Sequence, residues 1–196
     1  IPVSIWSSLG LLLHYLDRFF INKYLDTINL GVYSSISEIS IRIFSFLIFP
    51  ITLAVHPRIT KFWNEDKKLE AFALINKSVK IIFLSLLIIG LVIVIFNNLF
   101  FSILNYGIPS LPESSKIIFL PLIMSGMLWQ LSLLTHKAIE LNEKTHLMIV
   151  FILFSVAINI LVNTLFISQY GIIVTALSSL ASSFIYCSLT WIYSMY

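Results

Sequence analysis

Apolar residues run in long unbroken stretches along this chain, and polar residues gather in the short gaps between them. A helix rising 1.5 Å per residue needs roughly 20 residues to cross a hydrocarbon core of about 30 Å. Six stretches qualify, at about 3–22, 32–56, 80–101, 116–136, 147–167 and 171–193. The third, with IIFLSLLIIGLVIVIF, is the clearest, and nothing after His146 is charged. The runs are continuous rather than alternating, which excludes a membrane β-barrel. The pattern predicts an all-α membrane protein.

The gaps read as connections. NKYLDTINLG is a short polar turn ending in Gly31, and NYGIPSLPES, Asn142-Glu143-Lys144 and Ser168-Gln169-Tyr170-Gly171 are turns as well. One gap is long. In HPRITKFWNEDKKLEAFALINKS, Ile59, Phe62, Leu69, Phe72 and Ala73 recur at helical spacing opposite Lys and Glu. This predicts an amphipathic helix over 58–78, broken near Asn64-Glu65-Asp66 and lying along the headgroups. Pro50 and Pro121 fall inside spans and are expected to bend or interrupt them. Arg58, Lys61, Lys67, Lys68, Lys77, Lys80, Lys137 and Lys144 collect on one side of the membrane, and only Lys23 and Lys116 on the other. That bias places the long connection in the cytoplasm and, with six spans, both ends of the chain too.

Composition narrows the class further. Of 196 residues, 59% are hydrophobic and 11% charged. Soluble domains run at roughly 45–50% and about 25%, so lipid must cover much of this surface, and intrinsic disorder is excluded. A net charge of +3, scattered along the chain, gives no nucleic-acid footprint. Cys187 stands alone, so there is neither a disulfide framework nor a cysteine metal site. HExxH, GxSxG and Walker-type motifs are absent, so no enzyme and no cofactor is expected. The opening Ile1-Pro2-Val3 has neither Met nor a basic stretch and reads as the start of a segment of a longer protein.

Ionisable residues inside the spans carry the chemistry. Each costs about 2.5–3.5 kcal/mol at a helix centre, and such residues face a bundle interior or a wet cavity. His14 and Arg18 share a face of the first span, with Asp17 about 100° round from Arg18. Glu38 and Arg42 stand at ion-pair spacing in the second. Both sets lie roughly 6–10 Å below the outer interface, so antiparallel neighbours bring Arg18 to Glu38, or Asp17 to Arg42. Two readings are open. The charges neutralise one another as a structural cluster, or they line a wet cavity in which Arg18 and Arg42 attract a phosphate. His14 is a candidate to exchange protons with Asp17, and Gln130 to line the cavity. Asn159 and Asn163, on one face of the fifth span, are read first as interhelical hydrogen bonders. His136-Lys137, Trp6 and Trp191 are read as interfacial anchors.

The stretch YLDRFFINKYLDTINLGVYSSISEIS, followed by FPITLAVHPRITKFW, resembles the seventh and eighth membrane helices of bacterial polysaccharide flippases. These are the O-antigen and capsule-repeat exporters of the multidrug/oligosaccharidyl-lipid/polysaccharide (MATE-like) superfamily. INILVNTLFISQYGIIVTALSSLASSFIY is similar to that family's Asn-rich helix, Tyr-Gly turn and small-residue final helix. The resemblance implies the second six-helix lobe of a two-lobe, alternating-access transporter of the bacterial inner membrane. Its partners would be membrane lipids, the N-terminal lobe, a polysaccharide polymerase and an undecaprenyl-pyrophosphate-linked oligosaccharide as cargo. Arg18, Arg42, Asp17, Glu38, Gln130 and His14 would line the substrate path. The alternatives are a drug/cation antiporter of the same superfamily and a stand-alone six-helix binding or scaffold protein.

Overall fold

The computed structural model describes residues 2–107 and 115–195, and every element in it is helical. In chain order these are α1 (Pro2–Tyr24), α2 (Thr27–Asn64), α3 (Lys68–Ile95), α4 (Asn97–Gly107), α5 (Lys116–Thr135), α6 (Lys137–Leu141), α7 (Thr145–Tyr170) and α8 (Ile172–Met195). Most of the turn expected over 105–114 lies outside the described residues. Five segments are long and apolar enough to cross a membrane: α2, α3, Lys116–Leu141 across α5 and α6, α7 and α8. The 23-residue α1 matches them in length but not in apolarity, because Asp17, Arg18 and Lys23 fall in its second half.

Local chemistry sets the boundaries. The turn before α2 is shorter than its polar composition suggests. Asp26 caps the helix by accepting from Asn29 N at 2.7 Å, so α2 begins at Thr27 and Gly31 lies inside it. The helix then runs unbroken through Pro50 and Pro57 to Asn64. The amphipathic helix expected at 58–78 is therefore not a separate surface element. It is the end of α2 and the start of α3, joined at Glu65–Lys67 with Asp66 in the left-handed region at φ 59. Ala71, Ile75, Val79 and Ile82 bury the inner stripe of α3, while Leu69 and Ala73 face outward. At 38 residues α2 is about 57 Å long, well beyond a core of about 30 Å. Pro121 likewise leaves α5 uninterrupted. A single residue, Gly171 at φ 68, joins α7 to α8, a backbone conformation that suits glycine.

Packing is built on small residues. α8 lies between α5 and α7, and α1 packs along α7, α8 and α2. Ser178, Ser182, Ser183 and Ala176 let α8 approach its neighbours closely. Ser125 on α5 meets the Ser183 hydroxyl at 2.9 Å, and Thr135 meets Thr190 at 2.7 Å. At Gly126 a Cβ would make ordinary contacts, 3.4 Å from Phe44 and 3.5 Å from the Ser40 carbonyl, so α5 lies close against α2 here. Outward faces of α3 (Leu84, Ile88, Leu91) and α7 (Val150, Phe154, Leu161) are exposed and apolar, as acyl chains require.

Candidate functional site

Two polar assemblies lie on opposite sides of α1. On the open side, Arg18 reaches across to Glu38 on α2 at 2.5 Å, and Arg42 Nε lies 3.3 Å from the other oxygen of the same carboxylate. Arg18 also sits 4.5 Å above the Tyr15 ring. Planar guanidinium groups suit both contacts, and one carboxylate between two of them leaves the set with a surplus positive charge. Arg18, Glu38 and Tyr15 border a groove of about 410 Å³, lined also by Trp6, His14, Ile41 and Trp129, and Arg42 joins it only through its bond to Glu38. The Arg42 side chain is 80% exposed, which in a helix crossing lipid means that this face of the bundle is turned towards water or protein.

Asp17 stands on the inner side, 1% exposed, at the junction of α1, α2, α7 and α8. Four donors converge on it. The Tyr33 hydroxyl donates at 2.5 Å, Asn159 Nδ2 at 3.0 Å, Asn163 Nδ2 at 3.4 Å, and the Ser179 hydroxyl donates to the same carboxylate. Ser178 accepts from Asn163 at 2.7 Å and ties α8 to α7. None of the ion pairs among the described residues involves Asp17. The alternative pairing of Asp17 with Arg42 is thus not formed, since the 100° between Asp17 and Arg18 turns the acid away from the groove. Asn163 Oδ1 and Thr175 Oγ1 are buried beside this cluster without a partner.

The remaining expected residues divide. His14 borders the groove, with Nδ1 2.9 Å from the Gly10 carbonyl and its ring edge-on to Trp129 at 4.5 Å. Gln130 is buried on α5 and borders neither the groove nor the Asp17 cluster. Trp6 and the His136-Lys137 pair are drawn inward rather than anchored at an interface. Trp6 Nε1 donates to the Tyr186 hydroxyl at 2.6 Å and meets the buried His136 ring edge-on at 4.6 Å, while buried Lys137 bonds Glu140 at 2.8 Å. Sequence reasoning gave Asn159 and Asn163 an interhelical role, which they have, but not their acceptor. Two Asn four apart in an apolar helix, against a buried acid that needs donors, were the available signal.

Residues 2–165 match the family model described as MatE. The chain belongs to the MatE family. It is accordingly a multi-pass membrane protein of a transporter superfamily, whose members move solutes rather than catalyse reactions. The matched span of this MatE chain takes in the groove, Asp17 and both asparagines, and stops short of α8. No curated protein matches the chain. No solved structure matches it either.

Proposed function

We propose that this MatE chain forms one six-helix lobe, with α1 as the sixth crossing, of a two-lobe exporter. In this reading the exporter turns a lipid-linked oligosaccharide across the bacterial inner membrane by alternating access, with the basic α2–α3 turn and both chain ends in the cytoplasm. The observation that carries it is the charge at the groove: Arg18 and Glu38 line it, Arg42 bonds the same carboxylate from beside it, and two guanidinium groups against one carboxylate leave one positive charge. A pyrophosphate carrier supplies the complementary anion, and each guanidinium can offer it a two-pronged hydrogen bond. Trp6, Tyr15 and Trp129 add aromatic surface for sugar rings. The polyprenyl tail stays in lipid along the apolar outer faces. Glu38 holds both cations while the groove is empty, which avoids unpaired charge.

Asp17 supports coupling to a proton. Its surrounding donors favour the ionised carboxylate and oppose a metal cation seated in its place, while the Tyr33 and Ser179 hydroxyls can turn from donor to acceptor when the acid takes up a proton. A drug/cation antiporter would need an acid open to the groove. Glu38, the acid on the groove, is held by two arginines, and Asp17, buried in α1 with no ion pair among the described residues, does not line it.

The test is transport by the full-length protein in vesicles, offered fluorescent lipid-linked glycans in parallel with a cationic dye. Translocation of the glycans, lost in an Arg18→Ala/Arg42→Ala variant, supports the proposal. Extrusion of the dye alone overturns it.

A further inference from the structure

His14 borders two spaces that the fold otherwise keeps apart. One is the groove, and the other is an internal cavity of about 20 Å³ lined by Asp17, Ser37, Ser125, Ser179 and Ser183. Only His14 and Ile41 are common to both linings. The volume admits one water, for which roughly 10–15 Å³ suffices, and the walls offer the two to four polar partners that a buried water needs. His14 is fixed for a role at this partition. A backbone carbonyl can only accept, so the 2.9 Å contact with Gly10 puts the ring proton on Nδ1 and leaves the lone pair on Nε2. The edge-on contact with Trp129 holds the plane of the ring.

We infer that His14 relays protons between the groove and Asp17 through a water held in this cavity. Nε2 takes a proton from a hydronium ion in the groove, which leaves as water, giving an imidazolium. The cavity water then passes a proton to the Asp17 carboxylate and recovers one from His14, leaving a neutral imidazole and a neutral carboxyl group. Release runs the same steps backwards, and no electrons move. The charged and titratable groups facing the relay are Tyr15, Arg18 and Asp17 on α1 and Glu38 and Tyr33 on α2. α5 and α8 contribute Trp129 and serine hydroxyls, and α7 contributes Asn159 and Asn163. Because Glu38 pairs Arg18, the imidazolium forms next to a neutralised neighbour rather than a bare cation.

The relay rests on the reading of Asp17 as the proton-coupling group, so the test separates the two. Full-length protein in vesicles is followed by infrared spectroscopy after a pH jump, with Asp17→Asn identifying the carboxyl band of Asp17. His14→Gln, which can still donate to Gly10, and His14→Phe, which keeps the ring contact with Trp129, are both expected to slow growth of that band about 100-fold, the low end for a positioned acid–base group. Adding Ile41→Ala to His14→Gln opens the other half of the partition and is expected to restore the rate, an effect that a purely structural role for His14 would not produce. An unchanged rate in both single variants, or no recovery in the double variant, overturns the relay. Wild-type transport and an unaltered band in Asp17→Asn overturn the coupling reading and the relay with it.

Discussion

Arg18 and Glu38 meet at 2.5 Å across the α1–α2 interface, and the same carboxylate holds Arg42 one turn further along α2. The acid is therefore the hinge of a three-membered chain, which an incoming anion can open without leaving any member unpaired. Replacing Arg18 or Arg42 singly with Ala is expected to lower surface polysaccharide at least about tenfold at unchanged protein levels, or about 1.4 kcal/mol of lost interaction. Arg18→Lys should recover only part of this, since a point charge lacks the planar fork. Immunoblots paired with glycan staining provide the measurement, and normal export by both Ala variants would remove the phosphate role.

At Asp17 the acceptor matters as much as the charge. Asp17→Ala leaves Tyr33, Asn159, Asn163 and Ser179 without their shared acceptor, and each buried unmet donor costs about 1–3 kcal/mol. Asp17→Asn retains one carbonyl oxygen. The alanine variant is thus expected to melt below the asparagine variant in detergent, while both lose ion-driven transport. Equal melting temperatures would contradict the hydrogen-bond account.

Gly126 tests the packing of α5 on α2. A Cβ there makes ordinary contacts at 3.4–3.5 Å, so Gly126→Ala should fold and transport normally. Gly126→Leu pushes against Phe44 and the Ser40 backbone and should cost about 1–3 kcal/mol, read as a lowered melting temperature.

The α2–α3 turn provides a pH measurement outside the membrane. The hydrogen bond from Lys67 Nζ to Glu65, at 2.7 Å, holds the Glu65 carboxyl below its usual value of 4.5 and raises the Lys67 ammonium. A depressed acid stabilises the fold above its ordinary range and loses that contribution as pH falls through its folded value. The pair is open to solvent, so the expected effect is local: Lys67→Ala should return the Glu65 titration, followed by NMR, to the ordinary carboxylate range. No movement of the titration on substitution would mean that the pair does not persist in solution.

Much of this was legible beforehand. Apolar run length gives the helices, and i,i+4 spacing gives the Glu38–Arg42 pair. Antiparallel neighbours at matched depth narrow the cross-helix contact to two pairings, of which Arg18–Glu38 is the one formed. What sequence could not give is which faces meet over long separations: Asp17 finds Asn159 across 142 residues, and no local periodicity encodes that register. The prolines leave their helices uninterrupted for a related reason. Pro50 removes one backbone donor, while Phe44 and Ile48, both buried, lock the same helix into the bundle on either side of Ser45–Leu47. Tertiary packing outweighed a local break.

One consequence belongs to the length of α2. Arg42 and Lys61 sit on the same uninterrupted rod, about 28 Å apart along its axis. The projecting tip and the ion pairs are thus ends of one continuous helix, and a tilt of the tip that passes Pro57 and Pro50 without bending carries the guanidinium with it.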